Sequence, residues 1–305
     1  MINIIGHRKI NLFVSGLLFV VSVVALLTFG LKPGNDFVSG SLLEVGFNNG
    51  ILPVNQEVKD TLSSLDLGNV SIQPTDSKSL IIKMKFLTEE EHQAVLSTLR
   101  QKYEVNENKV LENRFETVGP AVSATLKQRS AQAVIVVIIG IIIYVAYAFR
   151  RVSKPIASWK YGVVAVVALF HDVTITMGVF AFLGHYFGIE VDIPFVVACL
   201  TILGYSVNDT IVIFDRIREN LIRHSAENFP ATVNKAINET FARSLNTTFT
   251  TLFTLAALFI FGGESIKYFS LALLVGIFLG AYSSIFVASP LLVEWHNWME
   301  RRREE

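Results

Sequence analysis

Six apolar runs, each approaching or exceeding the length that crosses a bilayer, constrain the fold of this chain most strongly. A membrane-spanning helix needs about 20 predominantly apolar residues, because the hydrocarbon core is about 30 Å thick and a helix rises about 1.5 Å per residue. The runs cover residues 10–31, 131–149, 161–183, 193–214, 247–261 and 268–293. The fifth run is short unless its helix extends back through Ser244. The sequence therefore predicts a membrane α-helical bundle of six transmembrane helices.

The composition fits a membrane protein that also carries a water-soluble part. The chain is 51% hydrophobic and only 17% charged, with a mean hydropathy of +0.49. Its net charge of zero provides no overall field that would attract nucleic acid, so nucleic acid is not an expected partner. The single cysteine, Cys199, has no second soft ligand nearby, and no metal site or cofactor is expected.

The distribution of lysine and arginine predicts how the chain crosses the membrane. The first run follows basic residues, as in a signal peptide, but it is long and lacks an Ala-x-Ala cleavage pattern, so we expect an uncleaved anchor. One set of run ends is rich in basic residues: Arg8, Lys9, Arg150, Arg151, Lys154, Lys160, Arg216, Arg218, Arg223, Lys235, Arg243, Arg301, Arg302 and Arg303. The short loops on the other side offer only Lys267. By the positive-inside rule both termini are expected in the cytoplasm, and the long segment after the first run is expected outside it.

That assignment divides the chain into four parts. Residues 1–31 form the N-terminus and first helix, residues 32–129 an extracytoplasmic domain, residues 130–293 helices two to six, and residues 294–305 a basic cytoplasmic tail. The chain is therefore expected to cross its membrane several times.

Periodicity predicts an α+β fold for residues 32–129. Strands are predicted at 41–47, 70–73, 79–86 and 109–118, with one helix starting at Pro53 and closed by Gly68. Thr88 followed by Glu91 forms a capping box that opens a second helix, whose apolar face includes His92. The resulting order, βαββαβ, is ferredoxin-like. Such a domain is either a stable module or a surface for a partner, and the fold alone does not choose between them.

Asp209 is the most informative residue for function, because it lies within the fourth apolar run. A charge at mid-membrane costs about 2.5–3.5 kcal/mol, so such residues face protein or water and commonly serve ions or protons. A purely structural Asp that joins helices is the alternative. Arg243, which opens the fifth run, can reach Asp209, and Asn208 lies beside it. We therefore favour a role in proton conduction.

The fifth run supplies a stripe of hydroxyls at helical spacing: Ser244, Thr247, Thr251 and Thr254. These hydroxyls can bond their own backbone, or they can line a hydrated path to Asp209. Burial favours the protonated acid, whereas a nearby guanidinium favours the carboxylate. An Asp that alternates between an Arg-paired ionised state and an unpaired protonated state can carry a proton. The membrane potential supplies about 2.3 kcal/mol per charge per 100 mV.

A second polar pair, His171 and Asp172, lies in the third run. Adjacent helical residues point about 100° apart, which argues against their binding one metal ion together. A pair facing the bundle interior is favoured, and a proton relay and a structural hydrogen bond to a neighbouring helix both remain open. Asp215 and Arg216 continue the fourth helix beyond the apolar run, and their charges fit a solvated or headgroup-facing surface.

Several motifs resemble those of the SecD/SecF family, on its SecF side, and together they span nearly the whole chain. They are Gly34, Asp36, Phe37 and Gly40 in the segment 34–40; Gly119 and Pro120 in 115–120; His171 and Asp172 in 171–173; Gly204, Asn208 and Asp209 in 204–210, with Asp215 and Arg216 in 214–216; and the segment 238–248 with Arg243 and Thr247. Ser39 departs from the resemblance, since the family usually has two glycines at that point.

The resemblance implies a non-enzymatic transport protein of the resistance–nodulation–division superfamily. Its members pair with SecD and use the proton-motive force to promote preprotein export through the SecY–SecE–SecG channel. YajC and the translocating preproteins are further expected partners. In the family, the residues corresponding to Asp209 and Arg243 are implicated in proton conduction.

Three other functions compete with this one. A half-transporter that exports small molecules would share the six helices, but its drug pocket needs larger paired outer subdomains than residues 32–129 provide. A non-conducting scaffold of the channel complex would not need Asp209. An intramembrane hydrolase is the weakest alternative, because His171 and Asp172 lack a placed nucleophile.

Overall fold

The computed structural model describes residues 2–48, 51–75, 78–105, 108–148, 157–223 and 228–304. Phe149, which ends the second predicted run, and the basic residues Arg150, Arg151 and Lys154 lie outside this described part. The chain forms two compact units, Met1–Lys32 with Ala131–Glu305, and Pro33–Ser130.

The first unit is a helical bundle of a multi-pass membrane protein. Within the described residues, six helical stretches are long and apolar enough to cross a membrane, as the sequence predicts. Its helices are α1 (Arg8–Phe29), α5 (Pro120–Ala148), α6 (Ser158–Phe187), α7 (Ile193–Arg223), α8 (Phe229–Phe261), α9 (Glu264–Ser283) and α10 (Ser289–Glu304). The expected backward extension of the fifth span is confirmed, because α8 is one helix that passes through Ser244.

Close backbone contact joins α7 to α9. A Cβ added to Gly276 would lie 2.1 Å from Ile202, and one added to Gly280 would lie 2.9 Å from Ser206. The two glycines are four residues apart, the small-xxx-small spacing that lets membrane helices approach. A π-helical turn, Ser284–Ala288, then joins α9 to α10. Gly204 of α7 takes no part in this contact, since nothing lies within 4 Å of a Cβ built on it.

The N-terminal segment, residues 2–5, is hydrogen-bonded to the first half of α8. Asn234 Oδ1 accepts hydrogen bonds from the backbone N–H groups of Ile4 and Ile5, at 2.9 and 3.1 Å. Asn238 Oδ1 accepts one from the N–H of Ile2, and both asparagine amides donate to the Ile2 carbonyl. Ile4 and Ile5 are buried, so this clip also extends the apolar core of the bundle.

The second unit has the ferredoxin-like order βαββαβ, as predicted. The strands β1 (Gly40–Phe47), β2 (Ser71–Pro74), β3 (Ser79–Met84) and β4 (Val110–Val118) form one antiparallel sheet in the order β2-β3-β1-β4. The helices α3 (Asn55–Leu62) and α4 (Glu89–Tyr103) supply the other side of its core, after a short helix α2 (Asn35–Val38).

The helix limits in this unit confirm one sequence prediction and correct two. The capping box at Thr88 and Glu91 is present in both directions, and His92, Val95, Leu96 and Leu99 are all buried. Helix α3 begins at Asn55, so Pro53 precedes it rather than occupying its first turn. Gly68 does not close α3, which ends at Leu62; its φ of +68° instead serves the loop before β2.

Candidate functional site

Asp209 lies in the middle of α7 with its side chain turned into the bundle. The residue is buried, and its Oδ1 accepts a hydrogen bond from the Ser244 hydroxyl of α8 at 2.7 Å. Its Oδ2 is buried without a hydrogen-bond partner in the described part of the chain. One carboxylate oxygen is thus hydrogen-bonded, and the other could take up a proton without losing a hydrogen bond to the described residues.

Arg243 lies next to Ser244 on α8 but does not hydrogen-bond to Asp209. Its guanidinium acts on the Asp209 carboxylate through charge alone, and its side chain is exposed. It lines a cavity of about 400 Å³ with Asp215, Arg216, Glu219 and Thr240. Ile211 and Val212 of α7 also line this cavity, whereas Asp209 is not among its lining residues.

Most of the hydroxyl stripe on α8 bonds its own helix. Thr247 donates to the Arg243 carbonyl at 2.9 Å, and Thr251 and Thr254 donate to carbonyls one turn back. Thr251 Oγ1 also lies 3.3 Å from the Tyr205 hydroxyl of α7. Ser244 differs from the threonines because its hydroxyl donates to Asp209 of α7. The hydroxyl stripe is therefore mainly self-satisfied, and its contribution to the Asp209 site is Ser244.

Five residues near Asp209 on α7 and α8, four of them polar, are exposed. Gly204 and Asn208 are exposed on α7, and Arg243, Asn246 and Thr247 are exposed on α8. Exposed amides and a guanidinium are unfavourable against lipid. We call these five residues the outward polar face, and its chemistry fits a protein or water neighbour better than hydrocarbon.

Asp172 belongs to a separate network. It is fully buried on α6 and bonds Ser206 of α7, Ser283 of α9 and its neighbour His171. The pair faces the bundle interior, as favoured from the sequence. The sequence analysis did not identify Ser283. The signal is present in the sequence, because Ser283 follows Gly276 and Gly280, whose four-residue spacing marks the contact surface of α9.

Asp215 and Arg216, which follow the apolar run on α7, differ in how they are bonded. Arg216 donates to Glu239 of α8 at 2.6 Å and to Glu219 at 2.5 Å, whereas Asp215 is largely exposed. Asn220 also donates to Glu239. Arg216 therefore joins the two helices rather than only facing solvent.

The family-motif residues of the second unit lie in α2 or at the starts of α2, β1 and α5. Gly34 precedes α2, Asp36 and Phe37 lie in it, and Gly40 begins β1. Phe37 is buried. Pro120 is the first residue of α5, where its missing N–H is tolerated, and Gly119 comes just before it.

Two family descriptions match the sequence. The one described as "Protein export membrane protein SecD/SecF, C-terminal" matches residues 98–298, and the one described as "SecD/SecF GG Motif" matches residues 24–51. The chain is 40% identical to the protein translocase subunit SecF of Thermobaculum terrenum over 306 residues, covering 97% of this chain and 95% of that one. It is 36% identical to the protein translocase subunit SecDF of Brucella abortus over 289 residues, covering 94% of this chain and 36% of that one.

Solved structures with this architecture include SecDF of Thermus thermophilus, described as a translocon-associated membrane protein. The TM-score is 0.82 at 31% identity, covering 97% of this chain and 39% of that chain. A second structure, of SecDF in a super-membrane-facing form, gives a TM-score of 0.71 at 30% identity and covers 99% of this chain and 40% of that one. The chain thus spans about two fifths of the length of these SecDF chains.

Proposed function

Because the chain belongs to the SecD/SecF family of protein export membrane proteins, we propose that it is the SecF-type half of a proton-driven accessory complex for preprotein export. Its partner in this proposal is SecD, and the complex acts at the SecY–SecE–SecG channel, with YajC as an associated subunit. The chain is a transport subunit of the bacterial inner membrane and not an enzyme. Both termini lie in the cytoplasm, and the ferredoxin-like unit lies on the opposite side.

The observation that carries this proposal is the state of the Asp209 carboxylate. One oxygen is bonded by Ser244, the other has no partner among the described residues, and Arg243 acts on it through charge. Taking up a proton at the free oxygen neutralises the acid and weakens the pull of Arg243 on it. Losing the proton restores that attraction, so proton passage can change the position of α7 relative to α8.

The outward polar face supports SecD as the neighbour that completes the site. It groups exposed Asn208 of α7 with exposed Arg243, Asn246 and Thr247 of α8, at the level of Asp209. The two relatives named SecDF hold this chain's counterpart within one longer polypeptide. A SecD helix lying against this face would shield its polar groups from lipid and close the path to Asp209.

Pairing with SecD can be tested by cross-linking. We expect Asn208→Cys, in a Cys199→Ser background, to cross-link to cysteines introduced along SecD helices in native membranes. Phe170→Cys is the matched control, because Phe170 is 62% exposed on α6, a helix that contributes no residue to the outward polar face. Equal cross-linking from both positions, or none from position 208 with any SecD helix, would contradict the proposed interface.

Preprotein export tests the role of Asp209. In cells that depend on this chain, Asp209→Asn should slow maturation of exported proteins at least tenfold, because the amide cannot carry a proton. Asp60→Asn is the matched control, because it makes the same substitution at an exposed residue of α3 in the second unit, and immunoblotting of the chain and of SecD checks assembly. Normal maturation with Asp209→Asn, together with defective maturation when the chain is deleted, would instead support the scaffold function.

A further inference from the structure

Asp172 is an intramembrane acid that the Asp209 mechanism does not use. Its Oδ2 accepts hydrogen bonds from Ser206 of α7 and Ser283 of α9, both at 2.6 Å. Its Oδ1 lies 2.9 Å from His171 Nδ1 on the same helix. Asp172, Ser206 and Ser283 are each no more than 1% exposed. Three helices therefore meet at one carboxyl group.

The surroundings of Asp172 contain little charge. Among the described residues, His171 is the only titratable group in contact with it. The elements packed against this part of α6 contribute Phe19 from α1, which stacks on the His171 ring, and the two serine hydroxyls from α7 and α9. His171 Nε2 is buried with no hydrogen-bond partner in the described part of the chain. A buried carboxylate without a full counter-charge is costly unless hydrogen bonds satisfy it.

This network can satisfy both protonation states of Asp172. In the ionised state both serines donate to Oδ2, and His171 donates from Nδ1 to Oδ1. Ser283 Oγ also lies 3.2 Å from the Gly280 carbonyl of its own helix. If Oδ2 takes a proton, the new O–H donates to Ser283 Oγ, and Ser283 turns its own hydrogen to the Gly280 carbonyl. The only atom added is the proton, and each donor keeps an acceptor.

The switch at Ser283 lies where a structural change would be transmitted. Gly280 forms the close contact between α9 and α7, and the π-helical turn begins at Ser284, directly after Ser283. Ser284 Oγ bonds Thr210 Oγ1 at 2.8 Å, and Thr210 is adjacent to Asp209. Single π turns are frequent at functional sites because they allow local rearrangement of a helix.

We propose that Asp172, together with His171, is a second proton-binding site of the membrane bundle, and that its protonation turns the hydroxyl hydrogen of Ser283 from Asp172 to the Gly280 carbonyl of α9. This extends the proposed proton-driven function by adding a site that adjusts the α7–α9 contact beside Asp209. The ligand is a proton, and the group that reorients is the Ser283 hydroxyl.

Infrared difference spectroscopy tests this proposal on the full chain co-reconstituted with SecD in lipid. On acidification, the wild-type complex should gain a carboxylic-acid C=O band that shifts in deuterated water. The band assigned to Asp172 should be absent in Asp172→Asn and present in Asp209→Asn. A spectrum of Asp172→Asn that matches the wild type at every pH would overturn the second site, whatever the outcome for Asp209.

Ser283→Ala keeps the experiment decisive if Asp172→Asn fails to fold. Removing one partner of Oδ2 should shift the frequency of the Asp172 band. Ser270→Ala is the matched control, because Ser270 is buried on the same helix and its hydroxyl has no hydrogen-bond partner among the described residues. Unchanged bands in both serine variants would contradict the proposed switch.

Discussion

At the residue scale, Ser39 and Gly40 show why the start of β1 favours glycine twice. Ser39 has a φ of +62°, a region that L-residues with a Cβ adopt at an energetic cost. Gly40 has a different constraint, since an added Cβ would lie 2.9 Å from the backbone carbonyl of Met84 on β3. The first position requires backbone freedom and the second requires space. The match of residues 24–51 to a family description named for two glycines fits both demands.

These constraints predict opposite effects for two substitutions. Ser39→Gly should stabilise the second unit by about 1 kcal/mol, because glycine adopts the positive φ without strain. Gly40→Ala should destabilise it by about 1–3 kcal/mol, because the methyl group displaces β3. Hydrogen exchange of the β1 and β3 amides in the full chain measures both changes. Faster exchange in Ser39→Gly would show that residue 39 is not strained.

At the element scale, local sequence patterns predicted the strands and helices of the second unit well. They did not predict contacts between residues far apart in the sequence. Strict alternation located β3, and the capping box fixed the start of α4 to the residue. Gly68 was assigned to a helix end because a glycine after an apolar periodic run usually marks one, but α3 stops earlier. The asparagine clip around residues 2–5 joins positions about 230 residues apart, which no local pattern can reveal.

The sequence likewise predicted the charged residues of the Asp209 site but not the side chain that contacts Asp209. Asp209 can be recognised in the sequence because it is an acid within an apolar run, and Arg243 can be recognised at the start of the next run. The partner that touches Asp209 is Ser244, one residue further along α8, because the rotation of α8 decides which side chain reaches α7. That rotation depends on tertiary packing and not on the period of the sequence.

Capping of α4 gives a pH-dependent prediction. The backbone N–H of Thr88 bonds Glu91, and Lys85 lies nearby, so the pKa of Glu91 is lowered in the folded chain. A lowered pKa means that the ionised form stabilises the fold above the unfolded-state pKa and that this contribution is lost as the pH falls through the folded-state pKa.

Glu91→Gln removes the charge while keeping an oxygen that can accept the same bond. The variant should therefore be less stable than the wild type at neutral pH, and the two should converge in acid. Hydrogen exchange of the α4 amides, corrected for the intrinsic effect of pH, measures the difference. A gap that persists unchanged into acid would show that the charge of Glu91 is not the cause.

At the scale of the whole molecule, little more than one turn of α7 is hydrogen-bonded to three neighbouring elements. Ser206 bonds Asp172 of α6, Asp209 accepts from Ser244 of α8, and Thr210 bonds Ser284 of the π-helical turn. A change in charge at Asp209 therefore acts on a helix whose position three other elements share. The outward polar face is left exposed by this chain, and in the proposed complex SecD shields its polar groups from lipid.

Proton flux tests the central claim most directly. The chain and SecD are reconstituted together in vesicles with a pH-sensitive dye inside, and a pH gradient and a membrane potential are applied. The account predicts proton entry with the wild type and with the control Asp60→Asn, and entry reduced to the level of empty vesicles with Asp209→Asn. Equal flux through the wild type and Asp209→Asn would contradict the claim that this carboxylate carries the proton.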